Sequence, residues 1–399
     1  MKAFVNVLLF SLFSLNLFAQ TQLSESVTNG FFSVEIASTY IQKQLDNAHS
    51  ENNYATALGG QFKYETAPFE GFNAVGAFYI SQDINFATGE VSNTKQNSEL
   101  SSTKGNYTEL AEAYINYNYK DLNLRTGRQV IDTPFANSDP IRMVKNTFEA
   151  TIATYKSDEF TLVAGKILNW QGYDAGLEKG FTPVGKSGAW LGSVGFSSES
   201  IDASIWLYEI SDLADIFYTD AGVHLHVSDD SVLHVRAQYI SQQELSKSTI
   251  NAQIYGVLSR LELYGLSINL AYNKAKCDKG KSSFSGFGGG TLYTSMDTMI
   301  LDNISAQRQS EAFSTALSYD FKNFKLFYAL GEFVGKKNYL GEKADIIEQN
   351  IGFEYNINND FQFSAIYVKE SDKIDPKNVQ NNSNRAQINL TYSFKGKNK

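Results

Sequence analysis

The chain has 399 residues, a formal net charge of −9, four histidines and a single cysteine, Cys277. One cysteine closes no internal disulfide framework and builds no thiolate zinc cluster, and an acidic chain lacks the basic face that nucleic acid demands. Against only 5 prolines stand 23 tyrosines and 28 phenylalanines, a balance that suits many long strands with aromatic ends and suits helices poorly.

In chain order, Met1 and Lys2 precede an apolar run from Phe4 to Phe18 and a small residue, Ala19. This is the order of a secretory signal, so residues 1–19 are expected to be removed and the mature chain to start near Gln20. The run is shorter than the roughly 20 residues a spanning helix needs, and no later segment supplies such a stretch. A membrane location would therefore rest on strands, since only helices and closed barrels satisfy their backbone groups in hydrocarbon.

From residue 32 onward, segments alternate apolar with polar or small residues, the period of a strand with one wet and one greasy face. Eighteen are predicted: 32–43, 54–66, 71–84, 107–119, 121–130, 148–157, 158–168, 188–198, 199–209, 213–227, 231–241, 252–262, 263–274, 310–320, 321–333, 346–357, 358–369 and 384–395. The last is the clearest, with Ala386, Ile388, Leu390, Tyr392 and Phe394 on the greasy parity and Arg385, Gln387, Asn389, Thr391 and Ser393 on the wet one. Tight connections alternate with long ones at 85–106, 131–147, 169–187, 275–309 and 370–383, although 210–212 is short where a long one is due. This predicts an all-β fold, a closed antiparallel transmembrane barrel in the bacterial outer membrane, in contact with its lipid and with both termini periplasmic. Residues 20–399 form one unit, wide enough at eighteen strands to hold an aqueous channel.

Parity assigns Lys63, Glu65, Glu112, Asn116, Asn118, Arg125, His224, His226, His234, Arg236, Gln238, Arg260, Glu262, Glu354 and Arg385 to the lumen. Such groups either set selectivity by facing one another across a narrow passage or are merely solvated wall. His224 and His226 share a face and could meet His234 at a metal, but no acid is evidently placed to orient them, and the plainer wall reading is preferred. No cofactor is expected. Any histidine-based hydrolase would have to use these three or His49, none of which sits in a nucleophile motif.

Between Leu122 and Thr154 lie Thr126-Gly127-Arg128-Gln129, Asp132-Thr133-Pro134, Ser138-Asp139, Ile141-Arg142 and Thr147-Phe148-Glu149. This stretch resembles the OprD-type outer-membrane porins, especially the divergent branch of epsilon-class proteobacteria, and Thr294 to Met299 does so more weakly. The resemblance implies an eighteen-stranded barrel whose third external loop, here about 131–147, folds inward and narrows the lumen, with basic residues along one wall. It makes Asp132, Asp139, Arg142 and Lys145 candidates for the constriction, with Arg128 at the loop's root. Strict alternation sends Arg125 inward and Arg128 outward, so Arg128 reaches the pore only if Gly127 forms a bulge. His234, Arg236, Arg260, Arg385 and Glu112 rest on parity alone.

Elsewhere, Gly286 to Gly290 reads as a flexible external loop rather than a phosphate cradle, for it lacks the lysine and helix of a P-loop. Asp278, Asp297 and Asp302 match no calcium-loop spacing. Lys395 to Lys399 reads as a short tail after the terminal aromatic. The function expected is passive diffusion of small hydrophilic solutes and ions, with carboxylates or amino acids as the classes known in the family and a homotrimer as a family expectation. The alternative is a plugged surface barrel acting as an adhesin or surface hydrolase.

Overall fold

The computed structural model describes residues 23–45, 53–84, 97–100, 106–140, 142–376 and 382–397. The signal segment 1–19 and His49 lie outside these residues. Eighteen barrel strands follow in order: β1 Phe31–Leu45, β2 Asn53–Glu65, β3 Phe72–Asp83, β4 Asn106–Tyr119, β5 Leu122–Gln129, β6 Thr147–Lys156, β7 Phe160–Gln171, β8 Ala189–Ser197 and β9 Ile201–Ile210, then β10 Ala214–Ser228, β11 Ser231–Glu244, β12 Ala252–Leu263, β13 Leu266–Lys276, β14 Gln309–Phe321, β15 Phe324–Gly335, β16 Ala344–Asn356, β17 Phe361–Asp372 and β18 Ser383–Lys397. A two-residue strand, Thr182–Pro183, pairs with the end of β7.

Each strand pairs antiparallel with its sequence neighbours, and β1 pairs with β18 from Phe31↔Lys397 to Leu45↔Ser383. The sheet is thus closed and has no free edge. Strand ends fall within three residues of those expected from alternation. The hairpin at 211–213 is real: Ile210 pairs with Ala214, and Asp212 takes the positive φ of 59° that so short a turn requires. The tail reading is corrected, because Lys395, Gly396 and Lys397 continue β18 in register with β1.

Alternation dictates the two faces. Ile388, Leu390 and Phe394 point outward and are 41–45% exposed, while Arg385 and Gln387 point inward and are buried. At the short-turn end, outward rings pair up, as in Phe72–Tyr117, Phe160–Phe196 and Phe361–Tyr392, with centroids 4.4, 5.3 and 4.7 Å apart. That forms part of the aromatic girdle of a membrane barrel.

The long connections turn inward. Loop 130–146 buries Ile131, Phe135 and Ala136, and loop 277–308 buries Leu292, Met299, Leu301 and Ile304, with a short helix at Asp302–Ser305. These join inward residues of β6 to β16 in one apolar cluster inside the barrel. The expectation of a flexible external loop around Gly286 to Gly290 is therefore overturned. A loop carrying Phe284, Phe287, Leu292, Met299 and Leu301 removes that surface from water by folding into the lumen.

Candidate functional site

Loops 130–146 and 277–308 meet backbone to backbone inside the barrel. Asn137 N–H donates to Phe287 O at 2.9 Å, Phe287 N–H to Phe135 O at 3.0 Å, and the Thr291 hydroxyl to Pro134 O. Glycine is required here: Gly286 and Gly288 have φ of 97° and 95°, and a Cβ on them would lie 2.8 Å from Phe135 Cα and 2.3 Å from Asn137 O. Asp132, one of the expected constriction residues, instead holds the elbow of its own loop, accepting Ser138 N–H at 2.9 Å.

Loop 277–308 is fastened to the inner wall by buried polar side chains. Gln238 donates to Thr291 O at 2.9 Å, Gln242 exchanges two hydrogen bonds with the Phe284 backbone, and Asn273 accepts from Thr294 N–H at 3.0 Å. Glu348 accepts from the backbone of Thr298 and Met299. Tyr293 donates to Asp220, which also binds Arg236. Each wall side chain thereby satisfies loop backbone or loop hydroxyl groups that would otherwise be buried without partners.

The passage that remains runs along β15 to β18 and β1. A cavity of about 550 Å³ reaches from Arg142, Lys145 and Asp297 past Glu35, Phe327 and Gln387 to the 357–360 turn. At its Arg142 end four charges form a chain. Arg385, whose side chain is 4% exposed, lies 2.8 Å from Asp297 and 3.1 Å from Glu99, and Glu99 lies 3.2 Å from Arg142. Arg142 also rests over the Tyr173 ring at 5.3 Å. Its contact with Glu99 is off-line, so Nε and Nη1 have no hydrogen-bond partner among the described residues. Two arginines and two carboxylates cancel, and Lys145 beside them has no acid within ion-pair distance among the described residues.

Asp139 belongs to the same corner. Its backbone has φ of 42°, its N–H is bound by Asn137 Oδ1 at 2.7 Å, and burial pushes its carboxyl up to about 6 despite Arg142 nearby. Burial likewise raises Asp174 on the neighbouring loop. Of the acids singled out in loop 277–308, Asp297 is paired to Arg385 and Asp302 is buried, accepting from Ser283.

Arg128 does not reach the pore. Both ladders run through Gly127 without a register shift, so no bulge forms, and Gly127 instead gives the close approach its φ of 123° and the nearby Ala113 O require. Because β5 ends at Gln129, residues 106–111 of β4 have no β5 partner. Arg128 bridges that window, donating to Glu149 at 2.9 Å and Glu109 at 3.2 Å beneath the Phe181 ring.

The remaining wall residues face inward, mostly in pairs. Glu112 is buried between Lys63 and Tyr79, each 2.9 Å away, and Arg125 lies over the Tyr114 ring. Arg236 grips Asp202 through two hydrogen bonds of 2.8 and 2.6 Å. His234 contacts His224 at 2.5 Å, and His224 contacts Asp202. Arg260 binds Asn269 at 2.7 Å near the short-turn end. Among the described residues, no three histidine, cysteine or acidic side chains converge on a point that could hold a metal ion. Glu99 and Glu348 were not singled out from the sequence. The wet parity of β16 held a signal for Glu348, whereas nothing in the alternation marks Glu99, which lies on a loop.

No protein-family model matches the sequence, and no curated protein matches it. Solved structures do match in fold. OccAB3 of Acinetobacter baumannii superposes with a TM-score of 0.79 at 13% identity, covering 92% of this chain and 99% of its own. OccAB4 of the same organism gives 0.77 at 14%, covering 93% and 100%, and the outer membrane protein OpdK of Pseudomonas aeruginosa gives 0.76 at 13%, covering 93% and 100%. At these identities the likeness is one of architecture: this chain has the closed eighteen-stranded barrel of those proteins.

Proposed function

We propose that the chain is an OprD-type outer-membrane channel that lets small hydrophilic solutes and ions cross by diffusion. The observation that carries this reading is the loop 130–146, which turns into a closed eighteen-stranded barrel and holds Arg142 and Lys145 over a polar cavity. A channel of this kind needs no reacting group. It needs a lumen whose radius and fixed charges decide what passes. On this reading residues 1–19 are a cleaved signal, the termini and tight turns lie in the periplasm, and the long loops lie at the cell surface. Asp139, Arg142 and Lys145 form the constriction, with Asp297 and Arg385 locking its frame.

Lys145 suits a solute carboxylate, because it lines the cavity and has no acid within ion-pair distance among the described residues. The plugged-barrel alternative draws on the apolar cluster that fills much of the interior. One measurement separates the two: single-channel current of the purified, folded protein in a planar bilayer under a salt gradient. Discrete conductance steps are expected; a folded barrel that gives none is plugged.

The pH dependence follows from Asp139. With its carboxyl near pH 6, it is neutral at pH 5 and negative at pH 7.5. Raising pH across that window adds negative charge beside Arg142, so relative cation permeability should rise. Asp139→Asn should remove this component; an unchanged titration of the reversal potential would assign it to another group.

A further inference from the structure

We propose that the outward rim of β13 to β15 at the long-loop end is a docking surface for phosphorylated lipid headgroups of the outer leaflet. This inference rests on reading the barrel as an outer-membrane channel. Up the outward parity of β13 the residues are Leu266, Ile268, Leu270, Tyr272, Lys274 and Lys276. Hydrocarbon-compatible side chains give way to an interfacial tyrosine and then to two lysines. That order matches acyl chain, interface and headgroup, because tyrosine prefers the boundary and lysine extends its ammonium beyond it.

The lysines are not isolated along the rim. Lys276 stands opposite Gln309 on β14, and Lys336, just past β15, donates to Gln309 Oε1 at 3.2 Å. Lys274 stands opposite Glu311, but that carboxylate already accepts the Tyr272 hydroxyl at 2.6 Å. Neither Lys274 nor Lys276 forms an ion pair among the described residues. Lys276 and Lys336 therefore flank one neutral amide with Lys274 one outward position away, while the outward acids of this sector are engaged, Glu311 by Tyr272 and Glu332 by Lys373.

A lysine at the end of an outward strand is not forced by the fold. At the corresponding rim of β9 and β10 the outward residues are Glu209 and Asp215, directly opposite each other in register. The rims thus differ in charge, and the three lysines of β13 to β15, which form no ion pair among the described residues, complement the phosphates of an anionic leaflet. Each lysine near such a surface contributes about a fivefold gain in binding.

The test uses full-length folded protein in neutral detergent, titrated with diphosphorylated lipid A and followed by native mass spectrometry. Lys274→Gln with Lys276→Gln should weaken retention by about 25-fold at low salt, while Lys186→Gln beside the β9–β10 turn, where the lysine is paired to Asp212, should not change it. Lipid A stripped of its phosphates should bind the unaltered protein no better than the double variant binds the phosphorylated form. Equal binding by the unaltered protein and the double variant would overturn the proposal. So would competition by millimolar inorganic phosphate, which marks a free-anion site, or a change of oligomer mass in the variant, which marks a surface for a second copy. Heat-modifiable gel mobility and single-channel conductance are read on the same samples, so a folded, conducting barrel that ignores lipid phosphates defeats this inference alone.

Discussion

Replacing Lys145 by glutamate is expected to raise the cation-to-anion permeability ratio by about an order of magnitude or more and to move the reversal potential toward the cation equilibrium value. The reason lies in how the neighbouring charges are committed. Arg142 and Arg385 face Glu99 and Asp297, so the four contribute little net field. Lys145 is then the lining cation that no acid pairs among the described residues, while Glu35, Glu354 and Asp360 line the same cavity. The native channel should accordingly already favour cations, and the substitution should strengthen that preference. In a water-filled passage a unit charge about 4 Å from an ion changes its energy by about 1 kcal/mol, and Lys145→Glu changes the fixed charge by two units. Screening sharpens the test, because the shift should shrink as salt rises from about 0.1 M to 1 M and the Debye length falls from about 10 Å to about 3 Å. Lys145→Gln should fall midway. A reversal potential that ignores both substitutions would mean that ions pass by another route.

Much of the barrel was legible because lipid imposes a strict rule on strands. Away from the rims an outward residue must be apolar, so the pairs Ile388/Leu390 and Arg385/Gln387 announce their faces without reference to any partner strand. Loops obey no such rule. The segment 277–308 reads as external because it is rich in glycine and polar residues, yet its Phe287, Leu292 and Met299 are placed by contacts with loop 130–146 and with Gln238, Gln242 and Glu348 on distant strands. Those contacts are long-range, and no local period encodes them. Arg385 shows the same division. Its inward direction follows from alternation, but its pairing with Glu99, 286 residues away, and with Asp297 follows only from the fold. Parity identified an inward cation and left open whether that cation would be free or neutralised.

That pairing makes Arg385 the residue whose loss should most disturb the lumen. Arg385→Gln leaves Asp297 buried without an ion-pair partner among the described residues and Glu99 with Arg142 alone, and breaking a buried ion pair from one side costs about 3–5 kcal/mol. The barrel strands do not depend on this contact, since β18 keeps its ladders with β1 and β17. The strain should therefore fall on the segments at 97–100 and 294–299, which Arg385 ties to the wall. Release of those segments widens the Arg142 end of the cavity, so unit conductance should at least double and the open-channel current should become noisy, while heat-modifiable mobility still reports a folded barrel. Adding Asp297→Asn removes one stranded carboxylate and should restore part of the quiet, lower-conductance state, a coupling that two independent sites would not show. If Arg385→Gln conducts like the unaltered protein, the loops are held by their backbone contacts with Asn273 and Glu348, and the charge chain is a passenger on that frame.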